Sequence, residues 1–346
     1  MEKGKTMDEK KKETWCGIDI SKNDMAAALD VDRDLPVRRL PCRKFPRTPD
    51  GMRALLAWCA ELGADAPRLL MESTGIYSRD VLLWLHVRHP DMHVTVVNPR
   101  HAKHFIESEH LGNKTDELDA MALARMGTVQ NPGATPPPPP EYLQLQELVR
   151  SRDQMVTTMR SLEVSLGAMA DPGSVAAESL RAVIKTMGAE LRRLNAALRD
   201  HVARTPRIRD TVARMCTMPG ISVVSACTIL SELGEFDPER TRGNFSAYTG
   251  LQPVQRKSGT SVNSSRIAKN GSPLLRKVIY LCSIHAVEKI PSLKSLHSRL
   301  VKKGRKPLAA RCACMRKMLL ILRSMVLNNK DFKENYEPMK RIGKVG

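Results

Sequence analysis

The stretch WCGIDISKNDMAAALDV, residues 15–31, decides the fold of the N-terminal part of the chain. It runs from an apolar segment through a short polar turn into a second apolar segment, which is the pattern of a β-hairpin. Asp19 stands inside the first apolar segment, where a carboxylate is costly unless a cation or a hydrogen-bond donor compensates it. The stretch therefore predicts two paired strands, one of which carries an acidic group of functional interest.

The next hundred residues predict a mixed α/β domain, because strands come first and helices then alternate with strands. Apolar residues at helical spacing in residues 49–63 indicate a helix, and residues 99–126 are predicted to be helical. The remaining predicted elements are a third strand within residues 35–45, a strand at 68–71, a helix at 77–87 and a strand at 92–97.

A proline-rich segment, residues 131–140, divides the chain. It ends in five consecutive prolines, which exclude a helix or a central strand and favour an extended, semi-rigid linker. Beyond it, residues 141–205 predict two long helices that break near Asp171. These helices form either a hairpin packed within one subunit or an oligomerising coiled coil.

These features divide the chain into six segments. A disordered lead-in at 1–13 precedes an α/β domain at 14–130, the linker at 131–140 and the helical region at 141–205. A mainly helical C-terminal domain at 206–330, with a Gly-, Ser- and Thr-rich loop from Thr249 to Ser265, comes before a polar tail at 331–346.

The positive charge of the chain is concentrated in its C-terminal domain. The formal net charge is +19, and Arg240–Lys330 holds 20 Lys and Arg against the single acid Glu288, so the remaining residues are balanced. A basic excess of this size usually neutralises a polyanion. Apolar residues run through the same stretch, so a folded nucleic-acid-binding domain is favoured over a solvated tail.

Composition excludes several classes of protein. No apolar run approaches the roughly 20 residues of a membrane-spanning helix, and the N-terminus lacks the pattern of a secretory signal. The eight cysteines include no C-x-x-C pair of the zinc-site kind. We expect a soluble, reduced, cytoplasmic protein without a membrane partner.

Four acids are placed where metal-dependent chemistry needs them. Asp19 lies in a predicted strand, Glu72 ends the next buried strand, and Asp116 and Asp119 are three apart at the start of a predicted helix. Such acids can converge on divalent cations, and Mg²⁺ suits carboxylate oxygens. Each also has an ordinary explanation: Asp116 as a helix N-terminal acid after a Thr115 cap, Glu72 as the partner of an arginine, Asp19 as a hairpin residue.

Several motifs together resemble one known family. GIDISK with Asp19, MESTG with Glu72, VNPRHAKHF, and KTDELDA with Asp116 and Asp119 look like the N-terminal RuvC-like domain of the insertion sequence 110 family, the DEDD transposases related to the Piv invertase. MPGISVVSACTILSELG, FSAYTGLQPVQRKSG and IAKNGSPLLRKVIY resemble the C-terminal transposase domain of that family. The resemblance runs from Trp15 to about Leu327. It implies an RNase H-like N-terminal domain, a helical coiled-coil connector and a mainly α C-terminal domain.

The resemblance also implies a mechanism. In such enzymes the four acids bind Mg²⁺, or Mn²⁺, and a serine before a glycine attacks DNA to give a covalent phosphoserine link. Ser258 matches that serine, although Lys257 stands where some relatives carry a second hydroxyl residue. Four nearby hydroxyl residues remain alternatives: Thr260, Ser261, Ser264 and Ser265. Without the resemblance, Ser258 is an ordinary residue of a polar turn.

Further residues are assigned around the serine. Tyr248 is interpreted as a packing residue rather than a nucleophile. The turn Pro219-Gly220-Ile221 indicates either a helix-hairpin-helix, whose amides contact phosphates, or a tight helix connection. Six basic residues are predicted to contact phosphate: Arg256, Lys257, Arg266, Lys269, Arg276 and Lys277.

The family resemblance implies a prokaryotic source and association with the nucleoid, and it implies the partners as well. They are donor and target DNA, a structured guide (bridge) RNA encoded by the element, and further copies of the chain in a dimer or tetramer. Aromatic residues at 4% leave few platforms on which unpaired bases can stack.

Three other functions compete with a recombinase. A RuvC-like junction nuclease would use the carboxylates alone, and it would cut DNA without the serine. A sugar kinase is disfavoured because a second Gly-rich phosphate loop is missing, and a non-catalytic nucleic-acid binder leaves Asp19 and the pair Asp116 and Asp119 unexplained.

Overall fold

The computed structural model describes residues 14–109, 115–238, 241–258, 262–267 and 271–333. The chain divides into two compact units, Met1–Pro137 and Pro138–Gly346. No helix in the described residues is both long enough and apolar enough to cross a membrane. All eight cysteines are free thiols.

The first unit is built on a five-stranded mixed sheet. Its strands are β1 (Trp15–Ile20), β2 (Asp24–Asp30), β3 (Cys42–Pro46), β4 (Arg68–Glu72) and β5 (Val94–Val97), in the order β3-β2-β1-β4-β5. The first three strands pair antiparallel, whereas β4 and β5 run parallel to β1. The predicted α/β class of this part and its opening hairpin are confirmed.

In the part of this unit that the structure describes, four α-helices accompany the sheet: α1 (Pro49–Glu61), α2 (Ile76–Arg88), α3 (Pro99–Ser108) and α4 (Asp116–Gln130). The helical prediction over residues 99–126 corresponds to two separate helices, since α3 ends at Ser108 and α4 starts after the predicted cap residue Thr115. Gly112 and Asn113, which disfavour a helix interior, stand in the sequence between them.

The two faces of the sheet are covered by different helices. Alternate residues of β1, Cys16, Ile18 and Ile20, share a core with α1 and α2. Trp15, on the other face of β1, packs with Leu123 and Met126 of α4. Since side chains alternate along a strand, Gly17 and Asp19 belong to the face that α4 covers.

The second unit is mostly helical, as predicted. Its helices are α5 (Pro140–Gly167), α6 (Val175–Arg204), α7 (Pro206–Cys216), α8 (Val223–Leu233), α9 (Arg242–Tyr248), α10 (Pro273–Lys289), α11 (Pro291–Lys302) and α12 (Pro307–Leu327). Helix α5 already includes Pro140, because proline is favoured in the first turn of a helix, where its missing N–H has no intrahelical partner.

The long helices α5 and α6 pack against each other and join the core of the second unit at one end. Tyr142, Leu145 and Val149 of α5, with Leu198 and Val202 of α6, are buried among α7, α8, α10 and α12. Val164 and Val175, at the far end of the pair, are 73% and 78% exposed. The hairpin arrangement within one subunit is therefore present.

A β-hairpin replaces the loop predicted from Thr249 to Ser265. Strand β6 (Pro253–Ser258) pairs antiparallel with β7 (Val262–Ile267), with Pro253 opposite Ile267 and Ser258 opposite Val262. The loop prediction failed because these strands consist largely of polar residues, in which the apolar alternation of a strand is weak.

Candidate active site

Asp19 and Glu72 end neighbouring strands on the same face of the sheet. Strands β1 and β4 are parallel, and their register runs from Trp15 opposite Arg68 to Ile18 opposite Met71, so Glu72 follows beside Asp19. Leu70, two residues before Glu72, packs in the core cluster of Trp15 and α4. Both acids therefore lie on the face that α4 covers, and both are half-buried.

Asp116 and Asp119 lie in the first turn of α4. The Thr115 hydroxyl accepts a hydrogen bond from the Leu118 amide at 3.3 Å and caps the helix, as the sequence suggested. Asp116 is exposed, whereas Asp119 is buried, with 8% of its surface accessible. The helix dipole favours negative charge at this end, so it lowers the cost of placing the acids here.

Helix α4 crosses β1 in the opposite direction to the strand and touches it closely. Gly127 of α4 packs against the Trp15 ring, and a methyl group on Gly17 would overlap the backbone of Ala120 and Ala124. Two residues along β1 span about 6.6 Å, which equals four to five residues of helix at about 1.5 Å each. The next step along β1, at Asp19, therefore comes opposite the first turn of α4.

A buried ion pair fixes α4 on the sheet. Arg125 Nε of α4 lies 3.0 Å from Asp30 Oδ2 of β2, whose side chain is fully buried. The same guanidinium donates to the carbonyls of Arg33 at 2.6 Å and Leu35 at 2.7 Å. Asp30 Oδ2 accepts no well-aligned hydrogen bond. The negative charge of this buried oxygen is therefore balanced by the positive charge of Arg125.

A second, exposed ion pair links the start of α4 to the sheet edge. Lys44 Nζ of β3 lies 2.7 Å from Glu117 Oε1. The hydrogen bond with Glu117 raises the pKa of Lys44, and the charges of Asp116 and Asp24 raise it further. The hydrogen bond from Lys44 lowers the pKa of Glu117 in turn. Lys44 is thus a cation close to the predicted acids.

The backbone thus brings Asp19, Glu72, Asp116 and Asp119 to one end of one sheet face. Within the ranges that the structure describes, no three His, Cys, Asp or Glu side chains are grouped so that they could already hold a metal ion. Carboxylates repel one another without a cation, which favours rotamers that point them apart. The residue types, all hard oxygen donors, fit Mg²⁺.

The predicted serine lies in the second unit. Ser258 is the last residue of β6, Arg256 and Lys257 precede it on the same strand, and Arg266 lies on β7. Lys269 lies outside the described residues. Arg276 donates to the Gly271 carbonyl, and Lys277 forms a 2.6 Å ion pair with Asp153 of α5.

The structure also bears on two further sequence predictions, those for Tyr248 and for the turn at Gly220. Tyr248, the last residue of α9, is 44% exposed, so its interpretation as a packing residue stays a prediction. Gly220 has φ +90°, and a side chain there would overlap the Cys282 carbonyl of α10. The turn between α7 and α8 is therefore pressed against α10, which favours the tight helix connection.

Sequence reasoning missed the residues that hold α4 in place. The sequence alone assigns no role to Gly17, Asp30, Lys44 or Arg125. One signal was available: Asp30 occupies an apolar strand just as Asp19 does. The partners of Asp30 and Lys44 are far away in sequence, so no local pattern identifies them.

Comparison with known proteins gives the family. A profile of DEDD transposases of the IS110 type, described as "Transposase", matches residues 16–171, and the profile "Transposase IS116/IS110/IS902 family" matches residues 212–298. Together they cover more than half of the chain. The protein is a DNA strand-transfer enzyme, and it belongs to the IS110 family of transposases.

Individual relatives agree with this assignment. The "Pilin gene-inverting protein" of Moraxella bovis is 24% identical over 330 residues, which is 92% of this chain and 97% of the relative. The "Transposase for insertion sequence element IS1111A" of Coxiella burnetii is 23% identical over 210 residues, 53% of this chain and 57% of the relative. The "Probable family 20 transposase" of Pseudomonas aeruginosa is 28% identical over 137 residues, 38% of this chain and 39% of the relative.

Proposed function

We propose that this transposase cuts and rejoins DNA with a Mg²⁺-binding carboxylate site and a serine nucleophile. The observation that supports the proposal best is the placement of Asp19, Glu72, Asp116 and Asp119 at one end of one sheet face, with α4 held against Gly17. We propose further that the first unit is RNase H-like. In support, the central strand β1 carries the first acid and is flanked by an antiparallel and a parallel neighbour.

In the proposed site, Asp19, Glu72, Asp116 and Asp119 would hold Mg²⁺, with Mn²⁺ as a substitute. The bound cation supplies Lewis-acid stabilisation for the attacking and leaving oxygens of a phosphodiester. The chain positions these ligands through the Thr115 cap and the pair of Arg125 with Asp30. Side-chain rotation would bring the carboxylate oxygens together when the cation enters.

Ser258 is the proposed nucleophile. Its hydroxyl oxygen bonds to a DNA phosphorus, the bond from that phosphorus to a deoxyribose oxygen breaks, and the proton passes from the serine to the leaving oxygen. The phosphoserine link conserves the phosphodiester energy, so a second deoxyribose oxygen can displace the serine and rejoin the strand. Arg256, Lys257, Arg266, Lys269, Arg276 and Lys277 are proposed to contact phosphate; Lys277 would have to exchange Asp153 for it.

The partners belong to the same proposal. Donor and target DNA are the substrates, a structured RNA guides their pairing, and two or four copies of the chain act together. The named relatives include a gene-inverting protein and transposases, so inversion and transposition are both candidate outcomes of the strand exchange.

The test uses a supercoiled plasmid that carries the DNA flanking the gene, together with RNA transcribed from that flanking DNA, incubated with Mg²⁺ and the protein and then denatured. We expect a protein–DNA adduct that EDTA prevents. Ser258→Ala and Asp19→Asn should each remove the adduct, whereas the control Ser265→Ala, in the same hairpin, should keep it. If Ser258→Ala still cuts the DNA, the carboxylates act alone and the protein is a nuclease of the resolvase kind.

A further inference from the structure

A groove in the second unit has apolar walls and a basic rim. It lies between α10 and α12 and has a volume of about 920 Å³. Tyr280, Leu281 and Leu308 line it and are 38%, 53% and 62% exposed. These exposed apolar side chains neighbour one another, and such a patch commonly marks a binding surface.

The charge of the groove selects an anionic ligand. Among the described residues that line it there is no Asp or Glu, and five cations are present: Arg276, Lys277, Lys306, Arg316 and Lys317. Lys277 is paired with Asp153, and Arg316 donates to the Ser246 hydroxyl at 3.0 Å. Lys306 and Lys317 therefore supply positive charge that these two contacts do not use.

The apolar walls further restrict which anionic ligand the groove can bind. A polyphosphate alone gains nothing from Leu281 or Leu308, and a duplex keeps its base faces inside its own stack. An unpaired strand offers both flat apolar bases and phosphates, and stacking on an aromatic side chain contributes about 1–3 kcal/mol per base. Tyr280 supplies the ring, with the Arg311 guanidinium 5.9 Å from its centroid.

The position of the groove connects it with strand exchange. Pro253 and Ile267, the paired residues at the base of the β6–β7 hairpin, line the groove. The same hairpin carries Ser258 at its other end. Exchange of strands separates bases from their partners, so unpaired nucleotides must exist near the serine if Ser258 is the nucleophile.

We propose that this groove binds an unpaired nucleic-acid strand, with a base stacked on Tyr280 and phosphates on Lys306 and Lys317. The role in strand exchange rests on the proposed function, whereas the binding itself does not. The occupant is single-stranded DNA exposed during strand exchange; single-stranded RNA shares the chemistry that the groove recognises, and the test distinguishes the two.

The test measures binding of the full chain in EDTA to labelled oligothymidylate, oligouridylate and a DNA duplex, each of about 12 nucleotides per strand, within the usual site size. Tyr280→Ala should weaken single-strand binding by about ten-fold, the equivalent of about 1.4 kcal/mol, and leave duplex binding within about two-fold. Tyr280→Phe should bind as the wild type does. The better of the two single strands identifies DNA or RNA as the source.

Leu308→Glu provides a second variant that leaves the folded core intact, since Leu308 is largely exposed. It should weaken single-strand binding as Tyr280→Ala does, whereas the matched control Val164→Glu, on α5 outside the groove, should not. Wild-type single-strand affinity in both groove variants, or an equal loss for duplex and single strand, overturns the proposal. No DNA is cleaved in EDTA, so this binding test does not depend on formation of the covalent adduct. Failure of the groove proposal can therefore be told apart from failure of the proposed function.

Discussion

Gly17 determines how closely α4 approaches the sheet. Because it has no side chain, the backbone of Ala120 and Ala124 packs directly on β1, two residues before Asp19. Any side chain at this position pushes the helix away and moves Asp116 and Asp119 with it. The residue thus matters for the fold and for the distance between the acids.

Gly17→Ala should destabilise the first unit by about 3 kcal/mol, the upper end of the usual cost of overpacking, because both obstacles are backbone. Tryptophan fluorescence during urea unfolding reports this unit selectively, since Trp15, Trp58 and Trp84 all lie in it. The control Gly133→Ala, in the same unit and with open space around it, should change the stability by less than about 1 kcal/mol. An unchanged transition in Gly17→Ala would show that α4 does not pack this closely.

Arg125 compensates a carboxylate that water cannot reach. Arg125→Ala should cost the first unit about 3–5 kcal/mol, because it leaves Asp30 charged, buried and unpaired. The exposed pair of Arg53 with Asp50 offers a control, and Arg53→Ala should change stability by less than about 0.5 kcal/mol. Similar values for both variants in the urea experiment would contradict the structural role of the buried pair.

At the scale of elements, the start of α4 is linked to β3 by Lys44 and Glu117. The lowered pKa of Glu117 means that this pair adds stability above the ordinary glutamate pKa of about 4.3, and that the gain is lost as pH falls through the lowered value. The raised pKa of Lys44 has the opposite sense: its gain is lost as pH rises through the raised value.

Lys44→Gln should therefore move the pKa of Glu117 back up toward its ordinary value, which NMR titration of the side-chain carboxyl carbon measures. Lys103→Gln removes a comparable exposed lysine, paired with Glu107 on α3, and should leave the pKa of Glu117 unchanged. If Glu117 titrates identically in the wild type and in Lys44→Gln, the link between β3 and α4 does not exist in solution.

The elements with strong local patterns were predictable from sequence. The β1–β2 hairpin alternates sharply between apolar and polar segments, and α1 has regular apolar spacing, so both were found. The β6–β7 hairpin was missed because its strands are polar, whereas the start of α4 was indicated by the Thr115 cap and the acids that follow it.

The four acids were predictable as candidates, but their common position was not. It depends on α4 running against β1 at Gly17 and on Arg125 finding Asp30, which are contacts over about a hundred residues of chain. Such contacts leave no periodic signal. The common position of the strand acids Asp19 and Glu72 was easier to predict, because neighbouring parallel strands end at the same edge of the sheet.

At the scale of the whole molecule, acids and cations are divided between the units. The proposed metal ligands lie in the first unit, and the concentrated positive charge, from Arg240 to Lys330, lies in the second. This division suits an enzyme in which one unit holds cations for the reaction while the other neutralises phosphate. Because the proposed metal ligands all lie in one unit, metal binding by the carboxylates can be tested without DNA.

The most direct test of the central claim is a Mn²⁺ titration followed by electron paramagnetic resonance, in which the signal of the free ion disappears on binding. Asp19→Asn, Glu72→Gln and Asp119→Asn should each weaken Mn²⁺ binding by about ten-fold or more. The control Asp65→Asn, in the exposed loop before the opposite end of β4, should bind as the wild type does. Unchanged Mn²⁺ binding in the three variants would contradict a shared carboxylate site.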